Sequence, residues 1–271
     1  MVEQPGAWGR DAVFESRLPR TAAETLHRRA HGLKIRVILI RRPDRPPGGL
    51  AVFLAHTGGT RTRPVLLHGQ VDDPADLLDL DLRPLTAGEP VGFGTPLERP
   101  LFLVCTNGRH DVCCAERGRP VFRAIAAQHP DRTWECSHIG GDRFAANVVC
   151  FPHGIYYGWV EPADATAVAR AYERGRLSLD HYRGRSSWPP EIQAAEQFLR
   201  VERTLAGVDD VVPERRLRRP DGGVEVTFRV GPRSRYTVRV APMPRERVFL
   251  TCRAESRSAP QAFAALSVEP V

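Results

Sequence analysis

Leu101-Phe102-Leu103-Val104-Cys105, followed by Cys113-Cys114, Thr133-Trp134-Glu135-Cys136, Ser137-His138-Ile139-Gly140-Gly141-Asp142 and Asn147-Val148-Val149-Cys150-Phe151, is the stretch whose order decides the fold. The apolar run 101–104 reads as a buried strand. A polar loop over 105–118 precedes a predicted helix from about 119 to 128, where Pro120 is acceptable in the first turn. Residues 133–136 read as a short strand and 139–142 as a glycine loop. Two strands, 146–151 and 155–160, are joined by Pro152-His153-Gly154, and a helix over 163–174 closes the block.

Strand, loop, helix, strand, loop, two strands and helix is an order that suits a thioredoxin-like α/β domain. Upstream, a helix is expected over 20–31, strands over 34–40, 50–55 and 65–67, and a short helix over 72–79 whose acids suit a helix start. The Pro/Gly-rich stretch 83–100 reads as a linker. Downstream, Ile192, Ala195, Phe198, Leu199 and Leu205 mark one face of a helix over 191–205. Strands are expected over 223–230, 235–241 and 247–253. The predicted architecture is α/β (α+β): an N-terminal α/β domain over 1–95, a thioredoxin-like domain over 96–182 and a C-terminal helix and strand extension over 183–271. The first block resembles the second without its first strand, which is the pattern of an internal duplication.

Five of the six cysteines, Cys105, Cys113, Cys114, Cys136 and Cys150, fall between positions 105 and 150. In a reducing compartment such crowding points to metal or redox chemistry rather than cross-linking. Cys150 and Cys252 sit on strand-like runs and read as small buried hydrophobes. Cys105 is expected at the C-terminal end of a strand, Cys113 and Cys114 in the loop after it, and His138 and Asp142 on either side of two glycines. Loops at one end of a small sheet converge, and thiolates with imidazole are ligands for zinc or an iron–sulfur cluster. No Cys-x-x-Cys dithiol occurs, the spacing fits zinc knuckles only loosely, and a Cys/His nucleophile lacks an evident oxyanion site. Spacing alone favours a metal or cluster site over inert structural residues.

The run Cys105-x8-Cys114, with His138-Ile-Gly-Gly-Asp142-Arg-Phe-Ala-Ala-Asn147, resembles the sucrase/ferredoxin-like family. Cys113-Cys114-Ala115-Glu116-Arg117-Gly118-Arg119-Pro120 and Arg183-Gly184-Arg185-Ser186 add to the resemblance. It implies a thioredoxin-like ferredoxin domain. In Apd1-type members this domain holds a [2Fe–2S] cluster through two cysteines and two histidines of a His-x-Gly-Gly-His motif. Carried over by position, the ligands are Cys105, Cys114 and His138, with Asp142 in place of the second histidine. Three readings follow: Asp142 ligates through oxygen, Cys113 or Cys136 supplies the fourth ligand, or the cluster is lost. The first is preferred because Asp142 keeps the position. Family members also carry further chain, including a strand, before Pro5-Gly6-Ala7-Trp8-Gly9, so the expectation is either a missing N-terminal strand or an alternative start codon.

The implied function is electron transfer with an unidentified redox partner protein; the alternative is a cluster-free or zinc-binding thioredoxin-like interaction module. "Sucrase" finds no paired-carboxylate site to support it. Arg109 and Arg143 flank the site, through docking or plain solvation, while His110 and His153 read as turn residues and Trp134 as packing beneath the glycine loop. The formal charge is +7, and among 39 cations Lys34 is the one lysine. The arginines are scattered among acids, and Arg215-Arg216-Leu217-Arg218-Arg219 reads as a solvated loop, so no nucleic-acid partner is expected. No apolar run approaches the roughly 20 residues of a membrane span, and the first residues lack a secretory pattern; the expected address is cytoplasmic.

Overall fold

The computed structural model describes residues 1–43, 45, 48–60 and 62–271. Its first half runs β1 (Val2–Glu3), α1 (Arg20–Gly32), β2 (Leu39–Arg41), β3 (Leu50–His56) and β4 (Val65–Val71), then a 3-10 turn (Pro74–Leu78), α2 (Arg83–Thr86) and β5 (Thr95–Pro96). The second half runs β6 (Leu101–Cys105), α3 (Val112–Ala126), β7 (Thr133–Cys136), β8 (Val148–Phe151), β9 (Ile155–Tyr157), α4 (Pro162–Glu173) and β10 (Tyr182–Arg185). All these strands form one sheet in the order β10-β9-β8-β6-β7-β2-β1-β3-β4-β5.

That order contains the same unit twice. In β7-β6-β8-β9 and in β2-β1-β3-β4 the second strand of each unit lies beside the first, then come the third and fourth. The first and second strands are parallel in both units, with a helix between them, and the other pairings are antiparallel. This is thioredoxin-like topology. The copies meet where β2 pairs antiparallel with β7, Ile40 opposite Cys136 and Arg41 opposite Glu135. The missing first strand of the N-terminal copy is present as β1: Val2 and Glu3 pair with Leu39 and Ile40 on one side, and Val2 with Val52 on the other.

β6 is central and its five residues are all buried. Phe102 and Val104 pack under α3 and α4 with Val121, Ile125 and Val168; Leu101, Leu103 and Cys105 face the opposite side with Ile40, Phe53, Trp134 and Ile139. The alternation is what a strand covered on both faces shows. A separate unit of α5 (Pro190–Arg203), β11 (Val211–Arg218), β12 (Val224–Val230), β13 (Ser234–Pro242) and β14 (Phe263–Pro270) ends the chain. Its strands form an antiparallel sheet in sequence order. Its helix is tied to the large sheet by Tyr182, whose hydroxyl donates to Glu196 Oε2 at 2.6 Å. Glu196 in turn pairs with Arg200 at 2.7 Å, both with fully buried side chains. Arg200 also donates to the carbonyls of Leu205, Gly207 and Val208, which satisfies the buried guanidinium.

Several expectations change. The stretch 83–100 is not a free linker, because it holds α2 and β5, and β5 pairs with β4 through Leu67–Pro96 and His68–Thr95. The basic run 215–218 is strand, paired residue by residue with β12, and Arg215, Arg216 and Arg218 are exposed. The last strand is β14 rather than 247–253. Among the described residues the latter run is held by the bridge Val248–Ser258, and its Phe249 is 53% exposed. α3 begins at Val112 rather than Arg119, so Pro120 lies inside the helix. No helix among the described residues is long and apolar enough to cross a membrane.

Candidate metal centre

The site is built where β6 ends. Cys105 is its last residue, and the parallel β7 ends in register with it at Cys136. The chain then turns through 106–111 into α3, which places Cys113 and Cys114 in the helix's first turn. Gly118 allows α3 to lie against the strand end, since a Cβ there would meet the Cys105 carbonyl oxygen at 2.1 Å. Helix and strand cysteines are thus brought together by one missing methyl group.

The loop after β7 supplies the remaining residues and is clamped from several sides. Ser137 exchanges bonds with Leu39 of β2, its N–H donating to the Leu39 carbonyl at 2.8 Å and its Oγ accepting from Leu39 N–H at 3.0 Å. Arg36 donates to the carbonyls of His138 and Ile139 at 3.0 and 2.9 Å. Asn147 donates to the Gly141 carbonyl at 2.9 Å and accepts from Arg183 at 2.9 Å. Gly140 and Gly141 have φ of +91° and +77°, a region that side chains disfavour, and a Cβ on Gly141 would meet the Arg183 guanidinium at 2.6 Å. On the far side of this loop is a cleft of about 790 Å³, lined among others by Arg36, Ile139, Gly140, Tyr156 and Arg183.

Donor atoms of Cys105, Cys114 and His138 all lie within 4.8 Å of one another. Asp142, 7% exposed, adjoins them: the Cys114 thiol approaches its Oδ1 at 3.8 Å, and His138 Nδ1 lies 3.0 Å from the same oxygen. That second contact lacks the alignment of a hydrogen bond, so Nδ1 is a buried nitrogen without a partner. Cys105 is pulled down to about 5, first by the hydrogen bond from Cys114, against the opposing effect of burial, and then by His138 and the Asn107 N–H. Cys114 is pushed up by the same bond and by burial.

Cys136 is fully buried and its thiol is raised by burial. It belongs to none of the close donor groups among the described residues. Cys113 points elsewhere, its thiol donating to the Asp142 carbonyl at 3.4 Å, and it is pushed up to about 12 by burial, Cys252 and Asp111. Cys150 is buried, but Cys252 is exposed, contrary to the strand reading of 247–253. Arg109 is exposed; Arg143 stacks on Phe144 with its guanidinium 4.3 Å from the ring. Trp134 packs edge-on to Phe53, with Arg42 over its ring. His153 accepts or shares a hydrogen with the Tyr172 hydroxyl at 2.6 Å.

His110 is the residue that sequence reasoning missed. It lies in a turn, as expected, but its ring stacks on His138 at 3.6 Å and 8°, and it forms a second close donor group with His138 and Asp142. Its proximity to Cys105 was available in the sequence; its stacking across 28 residues was not.

A family model described as sucrase/ferredoxin-like matches residues 17–184. The chain belongs to that family. The sucrase/ferredoxin-like match spans both thioredoxin-like copies almost entirely. Over 95 residues the chain is 30% identical to altered inheritance of mitochondria protein 32 of Meyerozyma guilliermondii, covering 31% of this chain and 34% of that protein. The chain therefore spans about a third of the length of that relative. A solved thioredoxin-like [2Fe–2S] ferredoxin from Aquifex aeolicus aligns at 22% identity with a TM-score of 0.30, over 35% of this chain and 97% of the other. Family membership and the Cys/His donor group fit an electron-transfer or metal-binding role.

Proposed function

We propose that this sucrase/ferredoxin-like chain is a one-electron carrier that holds a [2Fe–2S] cluster through Cys105, Cys114, His138 and Asp142. The carrying observation is the meeting of two thiols and an imidazole whose Nδ1 is buried without a partner. The donor set fits the group, since thiolate and imidazole both suit iron–sulfur ligation. A cluster bound there supplies one reversible electron without making or breaking a substrate bond. The bond from Cys114 favours the thiolate of Cys105, the state such ligation needs. Arg36 fixes the backbone of His138 and Ile139, which orients the imidazole. His110 packs over the outer face of His138 and screens it from water.

Asp142 is favoured as the fourth ligand because its oxygen reaches both Cys114 and His138. His110 is the competing candidate, since it closes a donor group with the same two residues. An acidic redox protein is the partner this reading supports, meeting Arg109 and Arg143 beside the site. Anaerobically purified protein is expected to be red-brown, to absorb across roughly 400–600 nm and to contain iron and acid-labile sulfide. Cys105→Ser and Cys114→Ser should lose both. Asp142→Ala should lose or bleach the chromophore more than His110→Ala does; the reverse order assigns the fourth position to His110. Colourless wild-type protein without sulfide would favour the zinc-bearing or cluster-free module.

A further inference from the structure

A second set of ligand-type side chains lies beside the centre and takes no part in the proposed electron transfer. Asp111, Cys113 and Cys252 each place a donor atom within 4.8 Å of the others. Asp111 stands at the N-cap of α3, where a carboxylate normally accepts from the first N–H groups of the helix, yet it makes no such bond. Its Oδ2 instead accepts from the backbone N–H of Cys252 at 2.8 Å, across 141 residues. Its Oδ1 is buried with no hydrogen-bond partner, in a residue of 0% exposure. A buried carboxylate oxygen is costly to leave unpaired. Cys113 is half-buried and Cys252 exposed, so the group has an opening to solvent.

We propose that Asp111, Cys113 and Cys252 form a metal site, separate from the cluster site, for a borderline-soft divalent cation of the zinc class. Two thiolates select such a cation over magnesium or calcium, and a carboxylate is a regular third ligand. A water from the open side completes the tetrahedron. Binding converts the two thiols to thiolates and releases two protons to solvent. The cation would satisfy the orphaned Asp111 oxygen, which a Cys113–Cys252 disulfide would not. It would also fasten the segment between β13 and β14 to the first turn of α3, one residue from Cys114, and keep Cys113 from competing for the neighbouring centre.

The test is a Zn²⁺ titration of the reduced 271-residue chain against a colorimetric chelator, in wild type, Cys252→Ser, Asp111→Asn and Cys105→Ser. The site predicts that Cys252→Ser and Asp111→Asn each lose one Zn²⁺ equivalent, or weaken it about 100-fold or more, while Cys105→Ser keeps it. Cys252 is exposed, so Cys252→Ser is expected to fold and to retain the iron of the wild type; iron loss in Cys105→Ser alone would bear on the cluster and not on this site. Zn²⁺ should also slow proteolysis within 243–262 in wild type and not in Cys252→Ser. Equal Zn²⁺ stoichiometry and affinity in wild type and Cys252→Ser would overturn the proposal. So would Zn²⁺ protection that persists in Cys252→Ser.

Discussion

Asp142 holds its carboxylate 3.0 Å from His138 Nδ1 and 3.8 Å from the Cys114 sulfur. An anionic oxygen ligand there keeps a negative charge that a neutral imidazole lacks, and so favours the oxidised state. Asp142→His is therefore expected to raise the midpoint potential, by on the order of 100 mV. A redox titration in which the variant stands level with the wild type, or below it, removes Asp142 from the ligand set. At the other end of β8, His153 is lowered from 6.5 to about 4, first by burial and then by Arg185. Between those values the unfolded chain binds a proton that the folded chain does not, so stability rises with pH through this window and is lost as pH falls toward 4. His153→Gln should flatten that part of the profile by on the order of 2–3 kcal/mol. Urea unfolding at pH 7 and pH 4.5 measures it, and a variant as acid-sensitive as the wild type would contradict the assignment.

At the scale of elements, the contact between α3 and β6 governs the site. Gly118→Ala would force a methyl group against the Cys105 carbonyl, and a stability loss of about 1–3 kcal/mol is expected, together with weaker iron retention. Thermal melts and iron content check both; normal values would mean that α3 can shift without disturbing the cysteines. This contact also explains what the sequence could show of the site and what it could not. The convergence of Cys105, Cys113, Cys114, His138 and Asp142 was legible from strand ends and a glycine loop; the choice of Cys114 over Cys113 came from the family resemblance. The start of α3 was not legible, because Gly118 reads locally as the end of a loop and Pro120 as a first-turn residue. Close packing on β6 requires the glycine, and the helix runs through the proline. Cys252 was misplaced for a related reason: Val248-Phe249-Leu250 is an apolar run, but the edge of β13 is taken by β14, leaving the run outside the sheet.

For the whole molecule, the main feature hidden in the sequence is the shared sheet. A two-residue strand such as β1 has no periodicity to detect, and strand order across a duplication follows from tertiary pairing. The strand at β3 and the apolar run in β6 were visible; their place in one ten-stranded sheet was not. The joint between copies is the short pair β2–β7, where Ile40 is 0% exposed. Ile40→Ala should cost about 2–5 kcal/mol and lower both copies together, giving one cooperative transition. Two separated transitions would show that the copies unfold independently. The joint also bears on the centre, because Ser137 is bonded to Leu39 of β2 and Arg36 holds the carbonyl of His138. The N-terminal copy thus acts as the brace of the candidate site.

Mixed cysteine and histidine ligation of a [2Fe–2S] cluster in the second copy, as proposed, leaves a nitrogen signature on the iron. Its most direct measurement is nitrogen hyperfine spectroscopy on the reduced, anaerobically purified protein. A mixed-valence iron signal with nitrogen coupling is expected, lost in His138→Ala and retained in His153→Gln. A cluster signal without nitrogen coupling, or no paramagnetic iron at all, would contradict it.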